Sequence, residues 1–353
     1  MTAAAVPGSA GRNPAEHQVD LLTFGESMVS LRSTGPLASG GTLNMQVAGA
    51  ESNVAIGVAR LGHTSAWAGV VGADPHGEFI LKQLRGEGVQ LHHSVHPERS
   101  TGVMFLEQRT ADLSRAFYYR AGSAGSTISR GHVAAALDGG ARILHLTGIT
   151  AALSVEARDA VEYAAERAAS EGLLVSLDVN YRSKLWSRDE ARALLGPLAR
   201  HAAIVIASDD ELDLIAPPQE RNGAAGQAAA AAGEPARGEA ADDAEACAAR
   251  ALLGAGVSEV VVKRGAAGAA VYTAEGRLEA PAVPVTSVDT VGAGDAFTAG
   301  YLSALLDGGD VAGRLKRGIL AGAFAVSTRG DWEGLPRRDE LALLDAARGS
   351  TQR

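Results

Sequence analysis

The chain has 353 residues, a formal net charge of −9 and a single cysteine, Cys247. Its length suits one large α/β domain with a small appendage, or two modest domains, and its acidic balance speaks against nucleic acid and anionic membranes as main partners. One cysteine excludes an intrachain disulfide and a cysteine-cluster metal site, which fits a cytoplasmic setting, and no run is apolar enough for long enough to span a bilayer.

Residues 1–19 contain Ala, Gly and Pro without the apolar core of a signal peptide, and read as a disordered tail. Beyond them, apolar runs predict strands at Asp20–Gly25, Ser65–Val71, Arg142–Leu146, Leu173–Val179, Ala203–Ala207, Glu259–Lys263 and Gly268–Thr273. Helical patterns fall between these at Asn53–Leu61, Gly77–Glu87, Val155–Ser170, Arg188–Ala199 and Ala241–Leu253. This alternation predicts an α/β fold with a mostly parallel sheet flanked by helices. Gly40–Val47 and Thr101–Arg120 read as β with no helix between their strands. They predict a small antiparallel sheet, within about residues 30–48 and 101–120, able to serve as a lid. Pro217–Ala240 is an Ala-, Gly- and Glu-rich surface insertion. His92, His93 and His96 lack acidic partners at zinc-binding spacing and read as exposed.

The chemistry concentrates in Asp289-Thr-Val-Gly-Ala-Gly-Asp-Ala-Phe297. The run Ala282–Val288 predicts a strand leading in, and Ala296–Leu306 a helix leading out. A glycine turn between them directs backbone N–H groups and the helix dipole at an anion, such as phosphate. Asp295 would repel a bound phosphate, but beside a hydroxyl about to attack that phosphate it orients the hydroxyl and takes its proton. The helix N-terminus favours the carboxylate form, so Asp295 is expected to be a weak base that accepts the proton late.

Two further segments carry weaker signals. In Ala48–Gly62, Val54, Val58 and Leu61 form one helix face, Asn53 or Ser52 can cap it, and Gly49 and Ala50 leave room for a polar ligand. From spacing alone, an ordinary capped helix after a tight turn is the better explanation of the pattern. In Val261–Gly268, Gly265 and Gly268 allow close backbone approach to a ligand, or simply turn a hairpin. Position adds weight, because Gly25-Glu26, Thr147-Gly148, Asp178-Val-Asn180, Ser208-Asp209, Arg264-Gly265 and Asp289 all sit at strand ends. In an open parallel sheet these converge on one ligand-binding rim. The first strand lacks a Gly-x-Gly-x-x-Gly turn after Gly25, which speaks against a dinucleotide-dependent oxidoreductase. In Phe117-Tyr-Tyr-Arg120, period two puts Tyr118 and Arg120 on one face, a pairing suited to a sugar bearing a carboxylate. Arg182 supplies a second guanidinium.

Ala48–Gly62 and Asp289–Phe297 resemble the N- and C-terminal signatures of the ribokinase (PfkB) family of carbohydrate kinases, and the resemblance runs from Leu21 to about Leu344. It implies a ribokinase-like fold and transfer of the ATP γ-phosphoryl group to a sugar hydroxyl. By resemblance, Asp295 is the base, and the backbone of Gly292, Ala293 and Gly294 is the anion hole. Lys263, Gly265 and Gly268 then border the nucleotide. Ser208 and Glu211 occupy the place of an Asn-x-x-Glu that organises Mg2+ and phosphate, with Ser208 departing from the pattern. Tyr118–Ala124, His145–Thr150, Asp178–Trp186 and Arg329-Gly-Asp331 are similar to the subgroup acting on 2-keto-3-deoxygluconate. That similarity implies sugar-acid contacts from Gly49, Ala50, Asn53, Tyr118, Arg120, Ile149, Arg182 and Asp331, and phosphorylation of the 6-hydroxyl. A monovalent cation and a homo-oligomer through the lid are further implications. Another sugar kinase of the family, such as a fructokinase or ribokinase, and a non-catalytic nucleotide- and sugar-binding sensor remain open alternatives.

Overall fold

The computed structural model describes residues 19–110, 113–216 and 237–345. Strands β1 (Val19–Phe24), β2 (Met28–Ser33) and β3 (Leu43–Ala48) open the described chain, followed by helix α1 (Ala50–Arg60). Next come β4 (Ser65–Gly72), α2 (Pro75–Gly86), β5 (Gln90–His96), β6 (Val103–Gln108) and β7 (Ser114–Tyr119). The middle holds α3 (Arg130–Asp138), β8 (Ala141–Thr147), α4 (Gly148–Ala151), α5 (Val155–Ser170), β9 (Leu174–Asp178), α6 (Arg188–Leu198) and β10 (Ile204–Ser208). The last part holds α7 (Arg237–Gly254), β11 (Glu259–Lys263), β12 (Ala269–Thr273), β13 (Gly276–Ala280), α8 (Ala293–Leu306) and α9 (Val311–Val326).

One nine-stranded sheet runs in the order β13-β12-β11-β10-β9-β8-β1-β4-β5. It is parallel from β5 to β11, and β12 and β13 finish it antiparallel. Its central strands are mostly apolar and buried because helices cover both faces; every residue of β4 is buried. On one face the core is built by α3, α5, α6 and α7. On the other, α1 packs against α8, and α8 against α9. The second sheet, β3-β2-β6-β7, is the expected lid; its outer pairs are antiparallel and its central pair, β2 and β6, is parallel.

The contact between α1 and α8 positions the site. A Cβ on Gly57 would lie 2.5 Å from the Cβ of Ala299, so glycine is what lets these helices touch. Four residues back along each helix stand Asn53 and Asp295, which therefore meet in turn. Helix α8 is apolar nearly all round because α1, α9 and the sheet enclose it, with Ala296–Ser303 buried without interruption.

Several expectations need correction. Ala282–Val288 forms no strand. Pro284 inside the run and Pro281 just before it remove ladder donors, and the segment is tied instead by Val288 and Asp289 N–H groups donating to Val326 O. His92, His93 and His96 are half-buried, on β5, because the edge strand still packs against its neighbours. The 217–240 segment lies outside the described residues except for its last four, which open α7; the 1–19 tail lies outside them except for Val19, which starts β1.

Candidate active site

The parallel strands end on one rim, and there the predicted residues gather around a cleft of about 1110 Å³. Gly49, Ala50, Asn53, Tyr118, Arg120, Ile149, Arg182, Gly292, Asp295 and Asp331 all line it. The lid supplies the ceiling through Met28, Ala48, Met104 and Tyr118. These residues share one face of the lid sheet, because Met28 pairs with Ala48 and Met104 with Tyr118.

The floor is the turn before α8. Gly292 holds φ 74°, and a Cβ there would fall 1.9 Å from Asp331 O, so only glycine fits. Asp289 shapes this turn by accepting from Val291 N–H (3.1 Å) and Gly330 N–H (3.3 Å). The helix start has no side-chain cap, and among the described residues the N–H groups of Gly294 and Asp295 have no acceptor. Unspent donors at a helix N-terminus suit an anion. The Lys263 ammonium lies beside the turn, 3.4 Å from where a Gly294 Cβ would stand, and pairs with Asp178 at 2.7 Å.

Asp295 departs from the weak base expected at a helix N-terminus. Burial pushes its pKa up to about 6, with Asp178 adding to the rise. The Asn53 amide, which donates to Asp295 Oδ2 at 2.8 Å, pulls the other way, as do Arg182 and Lys263. The residue as a whole is half-buried and lines the cleft. Desolvation therefore outweighs the helix dipole, and Asp295 is a better base than its position alone implies. Burial also pushes Asp331 up to about 7, against the pull of Arg32 and with added repulsion from Glu333 and Asp295.

Cations line the cleft as well. Arg120 and Lys184 lie 5.9 and 5.3 Å from the Tyr118 ring, and Lys184 also donates to Ala116 O at 2.7 Å. Arg120 Nε donates to Glu26 at 2.7 Å, and Ser123 holds the other Glu26 oxygen. Arg188 is paired with Asp213. Arg182 and Lys184 make no ion pair among the described residues; Arg182 donates only to Tyr181 O, at 2.9 Å.

Three residues in or beside the cleft escaped the sequence reading. Glu26 reads only as a strand-end polar residue, Lys184 falls four residues before the start of α6, and Arg32 sits on a lid strand with no motif around it. Each acts through a partner distant in sequence.

Farther along the rim, Glu211 accepts from Tyr181 N–H (2.7 Å) and Ser208 N–H (2.8 Å), stapling the ends of β9 and β10. Asn180, the non-glycine residue with φ 41°, makes the bend that brings Tyr181 there. Gly265 lies open, whereas a Gly268 Cβ would strike Ala280 O at 2.1 Å, so Gly268 is required by the chain's own hairpin. Among the described residues no group of three His, Cys, Asp or Glu side chains is placed to hold a metal. The residues present fit Mg2+ only if a triphosphate supplies most of its ligands and Glu211, one lone pair free on each oxygen, takes part through water.

Residues 19–338 match the model of the pfkB family carbohydrate kinases. The 2-dehydro-3-deoxygluconokinase of Bacillus subtilis (strain 168) is 34% identical over 338 residues, covering 94% of this chain and 96% of that protein. The 2-dehydro-3-deoxygluconokinase of Thermoproteus tenax is 33% identical over 349 residues, covering 96% and 98%. A solved E. coli protein provisionally named Ribokinase II, in complex with ATP and Mg2+, superposes with a TM-score of 0.80 at 26% identity, covering 93% of this chain and 99% of its own. Signature motifs, fold and near-complete alignment agree: the chain belongs to the pfkB family of carbohydrate kinases.

Proposed function

We propose that this kinase transfers the γ-phosphoryl group of ATP to the 6-hydroxyl of 2-dehydro-3-deoxy-D-gluconate. The observation that carries the acceptor class is the charge of the cleft lining: Arg120, Arg182 and Lys184, the last two without an ion pair among the described residues, line the same cleft as Asp295. An acceptor with a carboxylate for these cations and a primary hydroxyl for Asp295 matches that lining. The two relatives named for this activity, each aligned over more than nine-tenths of the chain, support it.

In this reading Asn53 fixes the Asp295 carboxylate, which orients the 6-hydroxyl and takes its proton as the hydroxyl oxygen bonds to phosphorus and the bond to the ADP oxygen breaks. The N–H groups of Gly294 and Asp295, within the turn formed by Gly292, Ala293 and Gly294, hold the phosphoryl oxygens. Gly49, Ala50, Tyr118, Ile149 and Asp331 enclose the acceptor. Lys263, Ser208 and Gly265 flank the nucleotide, and Gly268 shapes the turn beside it. Mg2+, when bound, neutralises phosphate charge. The lid's outer face exposes Leu43, Met45 and Tyr119, which fits a homo-oligomer through the lid. A cytoplasmic setting fits the lone cysteine.

The test is ADP release on 2-keto-3-deoxygluconate, its galacto epimer, gluconate, fructose and ribose. The sugar acid should give the highest kcat/KM; preference for fructose or ribose would replace this reading with another kinase of the family, and ATP binding without turnover on any acceptor with a sensor. The pH profile is a second check. A carboxylate raised by burial is ionised only above its pKa, so kcat should fall as pH drops through about 6, with Asp295. Acceptor kcat/KM should begin to fall earlier, through about 7, with Asp331. A flat profile from pH 5 to 8 would contradict both assignments.

A further inference from the structure

Arg32 belongs to no signature, yet its side chain joins three parts of the molecule. It projects from lid strand β2, where its neighbours in register are Asn44 and Leu106. Its guanidinium forms a hydrogen-bonded ion pair with Asp289, the first residue of the anion-binding turn. A second pair, at 2.9 Å, reaches Asp331 on the loop that closes over Gly292. All three side chains are largely buried, at 13%, 11% and 3% exposure for Arg32, Asp289 and Asp331. Arg32 also lines a second cleft, of about 690 Å³, whereas Asp331 lines the acceptor cleft, so the pair stands between the two.

Surface ion pairs contribute little, but this one is enclosed, and enclosed charges depend on their partners. Asp331 is faced by Arg32 from β2, by Asp295 from α8 and by Glu333 from its own loop. Two of these three neighbours are acidic, so Arg32 is what offsets them. Asp289 in turn spends its oxygens on Arg32 and on the Val291 and Gly330 N–H groups, which links the lid to the turn's own geometry.

We propose that Arg32 is a positioning residue: by binding Asp289 and Asp331 together it seats the lid on the anion-binding turn and presents Asp331 to the acceptor as a carboxylate. This rests on the reading of Asp331 as an acceptor contact. Without Arg32, Asp331 keeps its buried site and its acidic neighbours and takes up a proton at higher pH.

The test uses Arg32→Gln and Arg32→Lys, each also in an Asp331→Asn background. Carboxylate 13C NMR titration of the protein without acceptor follows Asp331, its signal identified by loss in Asp331→Asn. Steady-state kinetics with the sugar acid run from pH 5.5 to 9. In Arg32→Gln the Asp331 midpoint should rise by about one unit or more. The acid limb of acceptor kcat/KM should rise with it, and acceptor KM at pH 7 by roughly 10-fold, while ATP KM changes less than about 3-fold. Arg32→Lys, which keeps the charge but not the fork, should recover most of the midpoint. In the Asp331→Asn background, Arg32→Gln should no longer move the limb. An unmoved midpoint overturns the proposal whatever happens to thermal stability. A moved midpoint with unchanged acceptor kinetics overturns it for the other reason, by placing Asp331 outside the acceptor site.

Discussion

Asp295→Asn is expected to lower kcat by about 10³-fold, the scale of a lost general base, with KM for sugar acid and ATP held within a few-fold. The substitution keeps the size of the side chain and an oxygen for the Asn53 amide, which donates to Asp295 at 2.8 Å in the wild type, so binding geometry survives and proton acceptance does not. The same variant should be more stable than the wild type at pH 8. Burial pushes Asp295 up to about 6 from an ordinary 3.8, so the native state binds more protons than the unfolded chain between those values. Stability therefore falls as pH rises across that window and stays lowered above it. A neutral side chain escapes that loss, for a gain of roughly 1–3 kcal/mol at pH 8 and little at pH 4. Stopped ADP release together with a raised Tm at pH 8 marks a catalytic carboxylate. Near-normal turnover would sink the assignment, and a Tm gain equal at both pH values would sink the explanation.

Much of this site was legible because its parts are local. Asp289–Phe297 states a turn, a helix start and a carboxylate within nine consecutive positions, and Ala48–Gly62 does the same for the partner helix. The strand-end rule then points Asp178, Ser208 and Gly265 to the same rim. The illegible parts depend on enclosure or on pairing at long range. Arg120 reads as a free guanidinium until Glu26, 94 positions away, is found on it. The basicity of Asp295 had the wrong sign because a helix dipole can be read from a motif, while desolvation depends on everything packed around it. Ala282–Val288 was misread for a local reason that was visible: a run with Pro284 inside it and Pro281 just before it lacks the donors of an interior ladder.

Arg120→Ala separates binding from folding in the lid. Arg120 Nε donates to Glu26 at 2.7 Å, and Glu26 is only 2% exposed. Gly102 and Gly125 crowd it, since a Cβ on either would come within 2.5 Å of the Glu26 side chain. Removing the arginine leaves that carboxylate buried with Ser123 as its remaining partner, and stability should fall by about 3–5 kcal/mol. Acceptor KM should rise roughly 10–100-fold as well, the value of a charge-assisted fork onto a carboxylate. These two losses have different cures. Adding Glu26→Gln to Arg120→Ala neutralises the stranded group and should restore most of the Tm, while acceptor KM stays high. Glu26→Gln alone leaves the guanidinium in place and should keep acceptor KM near the wild-type value. If the double variant instead regains acceptor affinity along with stability, Arg120 serves only to neutralise Glu26. The carboxylate end of the acceptor would then belong to Arg182 and Lys184, which no acidic side chain pairs among the described residues.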